Sequence, residues 1–439
     1  MLRDAQGLPV TTDSPEAVDA IDQFANQLLS YGNNIAVIIQ AVEADPTAVL
    51  PNAHLAALHL FAETADAVAD AADYLKVAQA NLDQATEREK LYVGAIAAWA
   101  NGKVDQALDY HEALAEQYPR DVISVQIGQY HYFNLGNRQG LLNLIEKVLP
   151  ANRENAFLYG MQAFGLEQCR RLDAAEVTGR QATEMHRQNP WAHHAVAHVL
   201  ETQGRTAEGI AWMESLSDTW DACGSFYTHN WWHVALYYLD QEEFAKVLEL
   251  YDRHIWGRAD KSYSQCHLDA ISMLLRLELR GVEVSERWQQ VGNYFLPRIH
   301  DHILPLIDVQ YIYALVRSGH EQQAYAMLQS IQDYAKTAYP YIRTAWSEVT
   351  LPLARGMLAH AVGDWSTAVT AIRSALPRLH KIGGSHAQRD LFEQVYIDAL
   401  IRLGNFQQAK RLWEKRAQAR TSVPSLQRTL ASSLESRIN

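Results

Sequence analysis

Helical periodicity runs almost from end to end of this chain, broken only at short turns. Apolar and small residues recur every three or four positions, and the breaks are brief, as at Asn101-Gly102-Lys103, Ser318-Gly319-His320, Gly363-Asp364 and Gly404-Asn405. The clearest unit runs from Leu91 to Pro119. Gly94 and Ala95 in its first helix and Ala107 in its second are small enough for two antiparallel helices to approach closely, and Pro119 stops the second. Gly356, Ala359, Ala368 and Ala375 repeat the pattern around another turn. Units this short bury an apolar face only by stacking on their neighbours.

Leu91, Ala95, Ala107 and Pro119 fall at the spacings of a tetratricopeptide repeat. The expected fold is therefore all-α, with tetratricopeptide-like antiparallel helix pairs stacked into a right-handed superhelix, an α-solenoid. No linker rich in Pro, Gly or Ser divides it, so residues 1–439 are expected to form one domain. The tail from Pro424 carries Leu426, Leu430 and Leu434 at four-residue spacing, which predicts a C-terminal capping helix over 424–439.

Composition agrees with helix and narrows the partners. Only 22 Gly and 13 Pro occur in 439 residues, and 48% of the chain is hydrophobic. The net charge is −13 with no basic stripe, so nucleic acid is not expected as a partner. No run approaches the roughly 18 apolar residues of a membrane span, and the N-terminus has no apolar signal core. Cys169, Cys223 and Cys266 are odd in number and far apart, which fits reduced thiols in a cytoplasmic setting. Oligomeric state is not legible.

The 18 His, 11 Trp and 21 Tyr are more telling, because a scaffold built for stability alone uses Leu and Ala. His194 and His198 are four residues apart, as are His229 and His233, and the second pair follows the first at an offset of 35 residues. Four-residue spacing puts two imidazoles on one helix face. The same face of two successive repeats thus carries the same pair, and all four are expected to line one cavity beside Trp232 and Asn230. His198 and His233 are the candidate acid–base groups, with Glu201 one turn from His198 to orient it. Paired histidines also chelate transition metals, but such sites usually include a carboxylate or thiolate, so no metal and no cofactor are expected.

Two further segments stand out. In Ser264-Gln265-Cys266-His267-Leu268-Asp269, the adjacent Cys and His diverge by about 100° on a helix, so a nucleophile pair is not expected there. His267 and Asp269 are instead candidate ligand contacts. In Gly383-Gly384-Ser385-His386-Ala387-Gln388-Arg389-Asp390, the glycines and Ser385 read as a helix end and the N-cap of the next helix. Capping requires neither His386 nor Arg389 and Asp390. A helix start with free N–H groups and an arginine fork suits an anion, so Ser385, His386, Arg389 and Asp390 join the candidate ligand contacts, with Asp301, His302 and Asp308 expected nearby. The chain has no phosphate loop, no dinucleotide glycine fingerprint, no His-Glu-x-x-His and no Gly-x-Ser-x-Gly elbow.

The segments His194–Glu201, His229-Asn230-Trp231-Trp232-His233, Leu268-Asp269-Ala270 and Ile382–Asp390, with Ala44-Asp45-Pro46 and Thr86–Glu89 earlier, resemble bacterial members of the tetratricopeptide-repeat protein 38 family. That resemblance implies an all-helical repeat fold in an intracellular setting and no defined activity. The leading functional expectation is a protein that binds a small organic molecule or short peptide in a His/Trp/Tyr-lined concave pocket. The alternatives are a hydrolase or lyase using its paired histidines for acid–base catalysis, and a protein–protein scaffold.

Overall fold

The computed structural model describes residues 1–418, so the expected capping helix at 424–439 lies outside the described residues. The chain divides into two compact units, one of residues 1–195 with 219–224, the other of residues 196–218 with the chain from 225 onward. Each is built from helix pairs of tetratricopeptide type, as the periodicity predicts.

The first unit opens with a short antiparallel ribbon, β1 (Leu2–Arg3) on β2 (Pro9–Val10). Its helices are α1 (Pro15–Ser30), α2 (Ile38–Ala44), α3 (Val49–Leu60), α4 (Ala67–Ala80), α5 (Glu87–Ala100), α6 (Val104–Gln117), α7 (Val122–Asn134), α8 (Arg138–Val148), α9 (Ala156–Gln168) and α10 (Leu172–Met185). Helix α11 (Pro190–Gln203) carries the chain into the second unit. There follow α12 (Thr206–Glu214), α13 (Ser225–Asp240), α14 (Phe244–Leu250), α15 (Ser264–Glu278), α16 (Ser285–Gly292), α17 (Pro305–Arg317), α18 (Glu321–Thr337), α19 (Pro340–Ala345), α20 (Leu351–Val362), α21 (Trp365–Ala375), α22 (His386–Arg402) and α23 (Phe406–Gln418).

Local chemistry sets the helix limits. Thr86 caps α5 in a reciprocal capping box with Glu89. The same Glu89 carboxylate accepts from the Thr11 backbone N–H at 2.9 Å, tying the N-terminal segment to α5. One turn away, buried Arg88 reaches Asp4 at 2.7 Å and Asp121 at 3.2 Å, so one guanidinium joins the N-terminal loop, α5 and the cap of α7. Leu50, Ala53, Ile96 and Leu114 are fully buried in the core beneath.

In the second unit, Gly209 lets α12 approach α13. A Cβ there would sit 2.2 Å from Cζ of Tyr237, closer than any side chain tolerates. Tyr237 lies buried in that gap and donates its hydroxyl to the Ala197 carbonyl of α11 at 2.6 Å. Three consecutive helices are thus held together beside the histidines.

Candidate functional site

The second unit brings His198 of α11 together with His229 and His233 of α13. All three are buried. The rings of His198 and His233 have centroids 4.5 Å apart, and those of His229 and His233 are 5.0 Å apart. One ring nitrogen from each lies within 4.8 Å of the others. A tetrahedral zinc site, with Zn–N bonds of ~2.0–2.1 Å, holds its nitrogens ~3.3 Å apart, so these imidazoles could hold a metal ion after a small inward movement. His194 lies on the same face of α11, one turn before His198.

The surroundings fix which nitrogens point inward. His229 donates from Nδ1 to Oδ1 of Asp269 on α15 at 2.8 Å, which makes Nε2 the acceptor nitrogen of the ring. Asp269 is held in turn by Gln265 at 2.8 Å and by the Thr228 hydroxyl at 3.3 Å. Metal-bound histidines are oriented by this kind of carboxylate partner. Trp232 stacks on His229 at 5.3 Å between ring centroids and donates its indole N–H to Ser272 at 2.8 Å, so it braces the ring. Burial, reinforced by His198, His229 and Arg276, holds His233 well below the usual histidine range and keeps it neutral, the form that ligates. A group that stays neutral so far into acid is poorly matched to acid–base exchange near pH 7.

Asn230, between His229 and Trp231 on α13, is completely buried, and among the described residues neither its amide oxygen nor its amide nitrogen has a hydrogen-bond partner. A buried amide in that state is costly unless something else satisfies it.

Other sequence candidates sit elsewhere. His267 bonds through Nδ1 to the Tyr311 hydroxyl at 2.6 Å and through Nε2 to the Lys261 carbonyl at 2.8 Å, and burial lowers its pKa to about 4. It is a braced core histidine with both nitrogens engaged. Cys266 beside it is buried, with its thiol pushed up to about 12, far from a reactive thiolate. Glu201 is buried on α11, and burial, with the Glu201 charge beside it, raises the pKa of Tyr237. Asp269 is a carboxylate that orients an imidazole of the cluster.

The glycine motif forms the predicted helix start. Gly383 and Gly384 take left-handed φ of 76° and 77°, and Ser385 caps α22 in a capping box with Gln388. Arg389 folds back onto the carbonyls of Gly383 and Gly384, with His386 beside it at 3.5 Å. Asp390 pairs with Arg416 through bonds of 2.6 and 2.5 Å. Arg389 thus braces the motif's own backbone. Arg276 links it to the histidines: the guanidinium donates to the Ala387 carbonyl at 2.6 Å and to the Ser272 carbonyl at 3.2 Å, and lies 5.4 Å from the Trp232 ring centre. Sequence reasoning missed that role. Its one signal was a basic residue inside the apolar run Leu274-Leu275-Arg276-Leu277.

No family model matches this chain. It is similar to the solved human IFIT1 dimer with PPP-AAAA, at 13% identity over 95% of this chain and 97% of that one, with a TM-score of 0.44. The human IFIT1 dimer with m7Gppp-AAAA gives 15% identity, 95% and 98% coverage and a TM-score of 0.41. Yeast Tom70 gives 11% identity, 96% and 89% coverage and a TM-score of 0.36. One expectation is corrected here. The expectation of no nucleic-acid partner is withdrawn, since two of these structures hold PPP-AAAA and m7Gppp-AAAA. Among the described residues, no helix is long and apolar enough to cross a membrane.

Proposed function

We propose that this chain is a helical-repeat binding protein whose second unit holds a divalent transition-metal ion, zinc foremost, on His198, His229 and His233. The carrying observation is the convergence of three buried imidazole nitrogens within 4.8 Å, one of them oriented by Asp269. This departs from the sequence expectation of no metal. That expectation asked for a carboxylate or thiolate ligand, whereas Asp269 supports the site from behind the imidazole. The small organic molecule or short peptide anticipated from the sequence is proposed to bind there through an anionic group. A tetratricopeptide fold suits a binding or scaffold role, and resemblance to the tetratricopeptide-repeat protein 38 family remains part of this reading. Free cysteines support a reducing, cytoplasmic setting.

The test is cobalt and zinc titration of the purified chain after chelator treatment. One ion per chain, with a cobalt spectrum of a nitrogen-rich tetrahedral site, is the expected result. Binding should fall sharply in His198→Ala and His233→Ala. Binding that is absent, or equal in wild type and both variants, overturns the proposal.

A further inference from the structure

Far along the same unit, a second constellation shares no residue with the histidine cluster. His302 precedes α17, Asp308 lies in the first turns of α17, and Ser330 lies on α18. His302 donates from Nδ1 to Oδ2 of Asp308 at 2.6 Å, and both residues are buried. A carboxylate only accepts, so this bond fixes the tautomer and leaves Nε2 as an acceptor. The Ser330 hydroxyl donates to that Nε2 at 2.7 Å. His300 approaches the same oxygen through its own Nδ1 at 2.8 Å.

We propose that Ser330, His302 and Asp308 form a nucleophilic triad that transfers acyl groups from small esters. Three observations carry this beyond a chance network. The order of bonds is nucleophile to base to orienting acid, each within hydrogen-bond reach. His302 adopts a left-handed φ of 49°, unfavourable for a non-glycine residue and the kind of backbone strain kept where a side chain must be aimed. The serine is half-buried and His300 exposed, so the reacting oxygen faces the solvent side while the base and acid stay inside. Tyr334 and buried Trp346 pack beside the base, with ring centres 5.2 and 5.9 Å from that of His302, and hold its ring in place.

In the first half-reaction, Ser330 Oγ bonds to the ester carbonyl carbon while His302 Nε2 takes the hydroxyl proton. The carbon–alkoxy bond then breaks, and the same proton leaves with the alcohol. Water repeats the sequence in reverse, releasing a carboxylic acid and restoring the serine.

The experiment is treatment of the full chain with a fluorophosphonate, followed by peptide mass mapping and by assay of aryl esters of short acids. Stoichiometric adduct on Ser330, an initial burst of released phenol, and loss of about 10³-fold or more in labelling rate for Ser330→Ala and His302→Gln support the triad. Circular dichroism of both variants checks that they fold. If either is unfolded, Ser330→Cys, labelled by a chloromethyl ketone at the same position, replaces it. An unlabelled wild-type Ser330, or ester turnover unchanged in folded variants, overturns the proposal. Either result leaves the metal titration untouched.

Discussion

Asp269 accepts a hydrogen bond from His229 across two helices, Nδ1 to Oδ1 at 2.8 Å. This contact decides which face of the imidazole is offered to a ligand. Asp269→Asn keeps the size but presents an amide that can donate, so the ring loses its enforced tautomer and some basicity. Metal affinity, measured by competition against a chromophoric chelator, is expected to fall about 10- to 100-fold with the helical spectrum unchanged. Undiminished affinity would show that Asp269 only packs.

Acid should weaken the first unit through its buried histidines. His111 of α6 is fully buried, bonded to Ser124 at 2.8 Å, and burial pushes its pKa down to about 3. In the unfolded chain that group titrates near ~6.5. Between these values the unfolded state binds more protons, so stability rises with pH across the window. The contribution is complete above pH ~6.5 and is lost progressively as pH falls toward ~3. His267 in the second unit, lowered to about 4, acts in the same direction. Urea midpoints are expected to drop between about pH 7 and about pH 4, and less steeply in His111→Gln. Equal slopes in the two proteins would mean that His111 is already protonated when folded.

Arg389 is predicted to be a loop clamp. Its guanidinium reaches the carbonyls of both left-handed glycines, Gly383 and Gly384. A lysine ammonium lacks the planar fork, so Arg389→Lys should destabilise the chain by about 1–3 kcal/mol, the scale of a charged hydrogen bond. Loss of the cap in Ser385→Ala should cost about 1 kcal/mol. Added phosphate should stabilise wild type and Arg389→Lys equally. A phosphate-dependent gain seen only in wild type would restore the anion-binding role that the sequence suggests.

How much of this was legible varies with the kind of information. Stacked helix pairs were readable because turns such as Asn101-Gly102-Lys103 and stops such as Pro119 act locally. The convergence of His198, His229 and His233 was readable too, since equal spacing at a 35-residue offset sets a common helix phase. Partners across helices were not. The sequence pairs Glu201 with His198 because a single helix brings them close, but it does not show that Asp269 of α15 reaches His229. Nor does sequence separate a ligand-facing histidine from a packed one. His54 bonds to Tyr92 and His111 to Ser124, in positions where periodicity sees only a buried face. The contacts of Arg389 with its own loop carbonyls are likewise invisible until the glycines adopt their positive φ.

The last prediction concerns Arg276, the buried cation nearest this argument. It bonds to the carbonyls of Ser272 and Ala387 and lies over Trp232, and its charge is among the influences that keep His233 unprotonated. A dication on His233 feels the same repulsion as a proton there. Arg276→Met keeps an unbranched, apolar stem of similar reach and removes the charge. Two opposite effects should follow. Stability should fall, because the Ala387 carbonyl at the start of α22 loses its donor in a buried setting. Affinity for zinc should rise several-fold, because one unfavourable charge has gone. Thermal unfolding in chelator reads the first effect and competitive titration reads the second. A variant that loses stability and zinc affinity together would show that Arg276 serves the site by bracing Trp232 and His229, and that its charge is not felt at the ligating nitrogens.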